Sequence, residues 1–377
     1  MSSESLVGKD WNAAVTRLGG AKRLEQEARE SGAFSRSRAV ACGVDLLRLT
    51  LAYCLGSMGL RSTAAWAEMI GLASLSNVAV LKRLRKMAPW LEVVCARLIA
   101  AQAGKRDRAC AARKGTAGRL IRLVDATVVA KAGKPERQDG GVWRVHAVFD
   151  LDGAAERFSA FELTDEREGE RLDRARVVPG EIRIADRAYL QPDRMAKVLE
   201  GGGDVLIRAP WNGARWLDAG GGGFDLIAAL MKAKKRGVVD QPIWIKGTAK
   251  KPMALRLVAI LKPVAAIEAT RAKLEAEARA KGRALQTGTI VAAAWVVLIT
   301  SLDKNEFATK AIGELYRLRW RIEIAFKHLK SGLGLARPPG GDPDLAKAHI
   351  LCHLLMALMT EPLIAEHLGD SPRQAAA

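Results

Sequence analysis

The stretch Leu120-Ile-Arg-Leu-Val-Asp125 decides the fold, because here the sequence changes from helical to strand-like patterning. Apolar and polar residues alternate at 142–150 and again at 157–163, which is the period of half-buried strands. Asp152-Gly153 lies between these two segments and is a hairpin-turn signal. The sequence therefore predicts three successive hairpin-connected strands.

Three more elements continue this pattern. Residues 168–177 are predicted to form a helix, Glu181-Ile-Arg-Ile-Ala-Asp186 a fourth strand, and residues 191–199 a further helix. The run at 290–300 is apolar throughout, as a strand buried on both faces should be, and is predicted to be the fifth strand. A charged helix follows it.

Residues 201–288 interrupt this order. Glycine clusters lie at 201–203 and 220–223, and strand candidates at 204–208, 243–246 and 255–261. A predicted helix rich in Ala, Lys and Glu covers 265–279. We interpret them as an inserted, β-containing subdomain.

The first 118 residues are predicted to be helical, with apolar positions at helical spacing in 39–55, 62–70 and 76–98. Residues 62–86 resemble a helix-turn-helix whose second helix, capped by Ser76, is basic enough to enter a DNA groove. A helical hairpin with a solvated basic face is an equally good interpretation. Residues 105–114 are predicted to be an exposed basic connector.

The predicted domains are a helical N-terminal DNA-binding region (1–118), the two parts of the core (119–200 and 289–340), the insertion (201–288) and a C-terminal helical segment (341–377). The last contains a helix at 345–367 that is suited to packing or to dimerisation.

Charge points to a polyanionic partner. The chain has 60 Lys and Arg against 41 Asp and Glu in 377 residues, a net charge of +19. Nucleic acid or an anionic membrane could supply that partner, but no apolar run approaches the roughly 20 residues of a spanning helix, and the N-terminus has no signal-peptide pattern. The sequence therefore predicts a cytoplasmic protein.

Cysteine and histidine do not indicate a metal site. The five cysteines are scattered without a C-x2-C pair, which favours buried, reduced thiols. His349 and His353 are four residues apart on a predicted helix, but apolar neighbours favour a packed pair over metal ligands.

Three carboxylates fall at positions that matter once the insertion is removed. The remaining order, β-β-β-α-β-α-β-α, is that of a ribonuclease H-like fold, so the predicted class is a mixed α+β and α/β chain with an interrupted core. Asp125 ends the first strand, Asp186 follows the fourth, and Glu323 is on the helix after the fifth. Such carboxylates could share two divalent ions, and oxygen-only ligands favour Mg²⁺ or Mn²⁺. For any single Asp, capping of the next element is the simpler alternative.

The helix predicted at 316–330 surrounds Glu323 with cations. No Gly or Pro interrupts it, so Tyr316, Arg319, Glu323, Lys327 and Lys330 share one face at spacings of three or four residues. An acid for a metal ion among bases for phosphates suits an enzyme that cuts a nucleic-acid backbone.

With these residues the chain resembles the DDE transposases of bacterial insertion sequences, in the family-four group with the signature Y-x2-R-x3-E-x6-K. The match is Tyr316, Arg319, Glu323 and Lys330, supported by Val124-Asp125-Ala-Thr, Trp143-Arg-Val-His146 and Ala185-Asp186-Arg-Ala-Tyr189. The long β-containing insertion is also typical of this group. Ala188 stands where many relatives have glycine, so the local turn is expected to differ.

The resemblance implies that Asp125, Asp186 and Glu323 ligate the catalytic metals, while Tyr316, Arg319 and Lys330 bind phosphates near the transposon end. It also implies that Trp295 stacks on a flipped base during hairpin formation; a core tryptophan is the alternative. Trp320 either supports the same DNA end or packs beneath the helix, and Lys327 either binds DNA or balances Glu323.

The expected function is cut-and-paste transposition, with cleavage at terminal inverted repeats through a hairpin and strand transfer to target DNA. Two copies of the chain are expected to pair the ends in a nucleoid-associated, bacterial complex. The alternatives are a nuclease of the same fold without strand transfer, and an inactive DNA-binding repressor.

Overall fold

A computed structural model of the chain describes residues 3–56, 58–104, 116, 118–131, 141–152, 155–165, 167–212, 214–247, 252–332, 334, 335, 338 and 342–368. The predicted basic connector at 105–114, Cys110 and the Gly153 of the hairpin signal lie outside these ranges.

One mixed sheet organises the described part of the chain. Its strands, in sequence order, are β1 (Ile121–Ala130), β2 (Val142–Asp152), β3 (Ala155–Asp165), β4 (Ile182–Ala185), β5 (Asp204–Arg208), β6 (Trp216–Leu217), β7 (Val238–Ile245), β8 (Met253–Leu261) and β9 (Trp295–Thr300). In space the order is β3-β2-β1-β4-β5-β9-β8-β7-β6. The three hairpin-connected strands and the adjacency of the first and fourth strands are confirmed.

The fifth strand was assigned incorrectly from sequence. β5 pairs in parallel with β4, so the segment at 204–208 belongs beside the core strands and not to a separate inserted subdomain. The apolar run at 290–300 is a short helix followed by β9, which is antiparallel to β5. A short apolar run cannot distinguish a buried strand from a buried helix, which is why the prediction failed. The domain boundaries themselves stay predictions.

The helix predicted at 168–177 is also wrong, because this segment is irregular. The buried Arg183 guanidinium donates hydrogen bonds to the carbonyl oxygens of Leu172 and Ala175, at 2.6 and 2.8 Å. Those acceptors are therefore used by a side chain from β4 and not by a helical ladder.

The helices, in chain order, are α1 (Ser3–Arg17), α2 (Ala21–Glu30), α3 (Gly43–Leu55), α4 (Leu60–Met69), α5 (Asn77–Leu84), α6 (Ala88–Gly104), α7 (Pro192–Glu200), α8 (Leu226–Lys232), α9 (Val264–Ala280), α10 (Thr287–Ala293), α11 (Thr309–Arg317), α12 (Trp320–Lys327) and α13 (Pro343–Leu368). The helical spacing at 76–98 belongs to two helices, α5 and α6, and α5 has Ser76 as its N-cap and ends at Leu84, close to the predicted end of the second helix at 86. Pro89 is in the first turn of α6, where a missing N–H costs nothing. In the described ranges no helix is long and apolar enough to cross a membrane.

Two cores lie on opposite faces of the sheet. One joins the N-terminal helices and α13 to the sheet through residues such as Leu46, Trp90 and Ile350. The other lies under α7 and α8 and includes Val198 and Leu230. The C-terminal helix is thus packed into the molecule, and its suggested role in dimerisation stays a prediction.

The minor predictions for this region are mostly confirmed. Cys54, Cys95 and Cys352 are buried thiols, and Cys42 is a half-buried one. The rings of His349 and His353 pack with their centroids 4.4 Å apart.

Candidate active site

Two of the three carboxylates come from neighbouring parallel strands. Val124 of β1 lies opposite Ala185 of β4, so Asp125 and Asp186 each follow one member of the same pair. Asp186 also caps the 3-10 turn Arg187–Tyr189, because its Oδ1 accepts a hydrogen bond from the Ala188 amide at 2.8 Å. The capping alternative is therefore part of the geometry, and Ala188 is accommodated in the turn.

The third carboxylate is on a segment that was expected to be one helix and is not. Between α11 and α12 the backbone bonds tighten, with Leu318 N donating to Leu315 O and Arg319 N to Tyr316 O. After α12, residues His328–Gly332 form a π-helical turn that carries Lys330. Sequence could exclude Gly and Pro breaks but not these changes in hydrogen-bond pattern.

Arg319 joins two of the carboxylates. Its Nη1 lies 3.5 Å from Asp125 Oδ2, and its Nη2 donates a hydrogen bond to Glu323 Oε1, one helical turn away. A cation from the junction of α11 and α12 thus lies between a strand carboxylate and a helix carboxylate. The signature residue Arg319 therefore lies between two of the acidic groups.

A cavity of about 350 Å³ opens beside this ion pair. Its lining includes the carboxylates Asp125 and Glu323 and the cations Lys327 and Lys330. The cavity combines acidic and basic groups, and it includes Lys327, which the signature does not.

The electrostatics of Asp125 reflect its crowding. Burial raises the pKa of its carboxyl to about 6, and the negative charges of Asp186 and Glu323 add to that rise. The Ala126 amide and Arg319 act in the opposite direction. A further positive charge near Asp125 would therefore be favourable.

Two tyrosine hydroxyls near the carboxylates are buried without a hydrogen bond of proper geometry among the described residues. Tyr316 faces Arg319, whose guanidinium carbon is 6.0 Å from the ring centroid. Burial raises the pKa of Tyr189, and Asp125 is the next cause of that rise. Both hydroxyls stay protonated at neutral pH and are available as donors.

The tryptophans differ in exposure. Trp295 is 3% exposed and lies in the core under α7 and α8, as the core alternative for this residue expected. Trp320 is 60% exposed and follows Arg319 directly, so it does not pack beneath its helix. Of these two tryptophans, Trp320 is the one whose ring is exposed to solvent.

Two further residues of the core strands are His146 and Arg208. His146 is buried on β2, with Nε2 2.9 Å from Thr164 Oγ1, and burial lowers its pKa to about 4, so it is neutral. Arg208 was missed from sequence. It ends β5 one residue beyond the pair of Ala185 and Ile207, which brings it beside Asp186, and its side chain is exposed. Recognising β5 as a core strand would have been the signal.

The donor chemistry of Asp125, Asp186 and Glu323 suits hard divalent cations, because all their ligand atoms are carboxylate oxygens. In the described ranges, however, no three Asp, Glu, His or Cys side chains converge on one point. The Arg319 guanidinium already lies against two of the three carboxylates. The residues fit the ions in type, and binding would require Arg319 to share its partners.

Acidic groups on two neighbouring parallel strands and on a following helix, flanked by cations, define an enzyme that acts on a phosphodiester backbone. Comparison with known proteins agrees with this class. Residues 116–359 match the family described as the transposase DDE domain.

Relatives match almost the whole chain. It is 38% identical over 371 residues to a protein of Escherichia coli strain K12 named as transposase InsL for insertion sequence element IS186A, with 97% of both chains covered. It is equally identical over 372 residues, again 97% of both chains, to the Escherichia coli transposase for insertion sequence element IS421. The chain belongs to the DDE transposase family and is an enzyme acting on DNA; this family depends on divalent metal ions.

Proposed function

We propose that this chain is the transposase of an insertion sequence and moves it by cut-and-paste, cutting at terminal inverted repeats and joining the released ends to target DNA. The observation that carries the proposal is the contact of Arg319 with Asp125 and Glu323 beside a cavity lined by Lys327 and Lys330. Family membership supports the same reaction class.

Asp125, Asp186 and Glu323 are the proposed metal ligands, with Mg²⁺ or Mn²⁺ as the ions and two as their number. Such ions would activate the attacking water or 3′-hydroxyl and neutralise charge on the leaving oxygen. The raised pKa of Asp125 supports this role, since a buried carboxyl crowded by two others gains from a cation.

Phosphate binding is proposed for Tyr316, Arg319, Lys330 and Lys327, and also for Arg208. The buried Tyr316 hydroxyl and the exposed Arg208 side chain supply further donors near Asp186. Cations hold the backbone without reading its sequence, so these residues would position any strand that enters.

Base stacking is the finer proposal for the tryptophans. Trp320 has the exposure to stack on an extruded base, whereas Trp295 would first have to leave its core site. Hairpin chemistry, pairing of two ends by a homodimer, and a place on the bacterial nucleoid in the cytoplasm also belong to the proposal. The net charge of +19 supports the DNA partner.

The carboxylates are tested by isosteric amides. Asp125→Asn, Asp186→Asn and Glu323→Gln should each bind a duplex with the gene-flanking end sequence normally but lose Mg²⁺-dependent nicking by at least about 100-fold. Glu314→Gln, on the exposed side of α11, is the matched control and should nick at the wild-type rate. Nicking at that rate in any of the three amide variants contradicts the assignment.

A strand-transfer assay with precut ends separates transposition from simple hydrolysis. Wild-type protein should join the 3′-hydroxyl to a target duplex. Nicking without any joining would favour the nuclease alternative.

Alanine substitutions distinguish the roles of the two tryptophans. The measured quantity is the rate of the second-strand step, followed once the first strand has been nicked. Trp320→Ala should slow the second-strand step without unfolding the protein, because its ring is exposed. Trp295→Ala should lower stability by about 3 kcal/mol, as expected for a buried Trp. Unchanged second-strand chemistry in Trp320→Ala contradicts the stacking role.

A further inference from the structure

Four exposed cations lie together in the insertion, away from the carboxylates. They are Lys232, Lys234, Lys235 and Arg236, at the end of α8 and in the turn that leads to β7. Within the described part of the chain none of them has an ion pair or a side-chain hydrogen bond. A cation at a helix C-terminus is ordinary, since it offsets the helix dipole. Lys232 is enough to offset the dipole of α8, and the other three cations add positive charge that the helix dipole does not explain.

The turn that carries these cations is well anchored. Ala233 is 1% exposed, and its carbonyl oxygen accepts hydrogen bonds from the amides of Arg236 and Gly237. Gly237 has a φ of +69°, which lets the chain reverse into β7, and its carbonyl oxygen accepts from Leu261 N at 2.9 Å. The charges therefore project from a fixed backbone.

The turn lies at the same edge of the sheet as the candidate active site. β5 ends there at Arg208 beside Asp186, and β9 begins there because it is antiparallel to β5. Leu261 at the end of β8 pairs with Trp295, and Val238 at the start of β7 pairs with Ile260. Asp186 and the α8–β7 turn are thus four strand spacings apart along this end of the sheet.

More cations lie between them. Arg208 is exposed next to Asp186, and Lys262 follows β8, where its Nζ donates to Ala293 O at 2.8 Å. Burial lowers the pKa of Lys262, and Arg208 lowers it further, which indicates that the two charges are close. Positive charge therefore continues from the carboxylates towards the turn.

We propose that Lys234, Lys235 and Arg236 bind backbone phosphates of the transposon-end duplex on which the active site acts. Strands about 4.8 Å apart put the turn roughly 20 Å from Asp186. At 3.4 Å per base pair, this corresponds to about six base pairs from the cleaved phosphate. The inference rests on the proposed function, and it adds a second contact to the one at the carboxylates.

The test is the salt dependence of DNA binding by the full chain, measured in EDTA so that cleavage does not intervene. In the triple variant Lys234→Gln, Lys235→Gln, Arg236→Gln, the slope of log K against log salt on a gene-flanking end duplex should become less negative by about 2 to 3, at about 0.9 per lost phosphate contact. The control Arg215→Gln, Lys246→Gln, Lys304→Gln removes the same charge from exposed side chains at the opposite edge of the sheet and should keep the wild-type slope.

Equal slopes in the two triple variants overturn the proposal, as does an effect confined to a duplex of shuffled sequence, which would assign the turn to target DNA. Thermal melting shows whether the variants fold; if the triple variant does not, Lys235→Gln alone should change the slope by about 0.9. Nicking is measured separately with the carboxylate amide variants. Equal salt slopes would therefore contradict the role of the turn and not the proposed function, and a negative nicking result would not affect the interpretation of the salt slopes.

A position-specific measurement complements the slope. Lys235→Cys should cross-link to a reactive group placed on successive phosphates most efficiently at about six base pairs from the cleaved bond. Wild-type protein supplies the background from native cysteines. A maximum at the cleaved phosphate itself, or no maximum, overturns the placement.

Discussion

Arg319 is a cation that lies among the carboxylates of the candidate site. It contacts Asp125 and Glu323, and its guanidinium is also near the Tyr316 ring. Three carboxylates repel one another at close range, so a protein without bound metal needs a cation among them. Arg319 supplies that cation from within the signature. A phosphate would compete with the carboxylates for the guanidinium, and a metal ion would compete with the guanidinium for the carboxylates.

Arg319→Gln should therefore make the stability of the protein depend more strongly on Mg²⁺. Without the guanidinium the carboxylates repel one another, and bound Mg²⁺ relieves a larger strain, so the rise in melting temperature on adding millimolar MgCl₂ should exceed that of the wild type. Arg317→Gln removes an exposed cation two residues away and should behave like the wild type. An equal or smaller Mg²⁺ effect in Arg319→Gln contradicts this view of the site.

Arg183 is the residue on which the irregular segment before β4 depends. It is fully buried, pairs with Glu181 and donates to two carbonyl oxygens. Arg183→Met should lower the free energy of unfolding by about 3 to 5 kcal/mol, because acceptors lose their donor and Glu181 loses one of its two arginine partners. Urea unfolding measures the change. A loss below about 1 kcal/mol would show that the segment is held by other contacts.

At the scale of elements, α5 depends on its cap. Ser76 Oγ accepts a hydrogen bond from Ala79 N at 3.2 Å, and the helix has only 8 residues, too few to be stable alone. The exposed residues Val78, Lys82 and Arg85 lie on one face of it, which keeps the helix-turn-helix interpretation open.

Ser76→Ala should destabilise the protein by about 1 kcal/mol, and Ser76→Asp should restore most of the loss, since both serine and aspartate accept from the first-turn amides. Urea unfolding gives the two values. If binding of the transposon-end duplex also weakens in Ser76→Ala and recovers in Ser76→Asp, α5 is part of the DNA-binding surface. If folded Ser76→Ala protein binds the duplex as the wild type does, the solvated helical hairpin is the better interpretation.

At the scale of the whole molecule, the packing of α13 links the N-terminal helices to the sheet. Burial lowers the pKa of His349 to about 4, and the neighbouring His353 contributes to the decrease. The unfolded chain therefore binds the proton more readily. The stability contributed by neutral His349 is present above pH 6.5 and is lost progressively as the pH falls towards 4.

His349→Leu should remove this dependence. Between pH 7 and pH 5 the wild type should lose about 2 kcal/mol more than the variant, because one buried histidine no longer needs to stay neutral. His146 and Asp125 titrate in both proteins, so the difference reports His349 together with its interaction with His353. Parallel pH profiles for the two proteins would contradict the prediction.

Local patterns were sufficient for much of the architecture. Alternation at 142–150 and the acidic residues Asp125 and Asp186 in or after strand candidates follow from short-range chemistry, so the strands and the candidate carboxylates could be located from sequence. The end of the first strand could not, because β1 continues to Ala130, five residues beyond Asp125. The conformations of 168–177 and 290–300 could not be predicted from local patterns. The first depends on hydrogen bonds from the buried Arg183, and the second depends on which strand lies beside it in the sheet.

Residue type and neighbours along the chain were enough to predict most of the helices and strands and to identify Tyr316, Arg319, Glu323 and Lys330 as a spaced set. Tertiary structure alone decided that β5 lies beside β4, that Arg208 lies beside Asp186, and that Trp295 is buried while Trp320 is exposed. Strand order and burial depend on which distant segments meet, and no local periodicity records that choice.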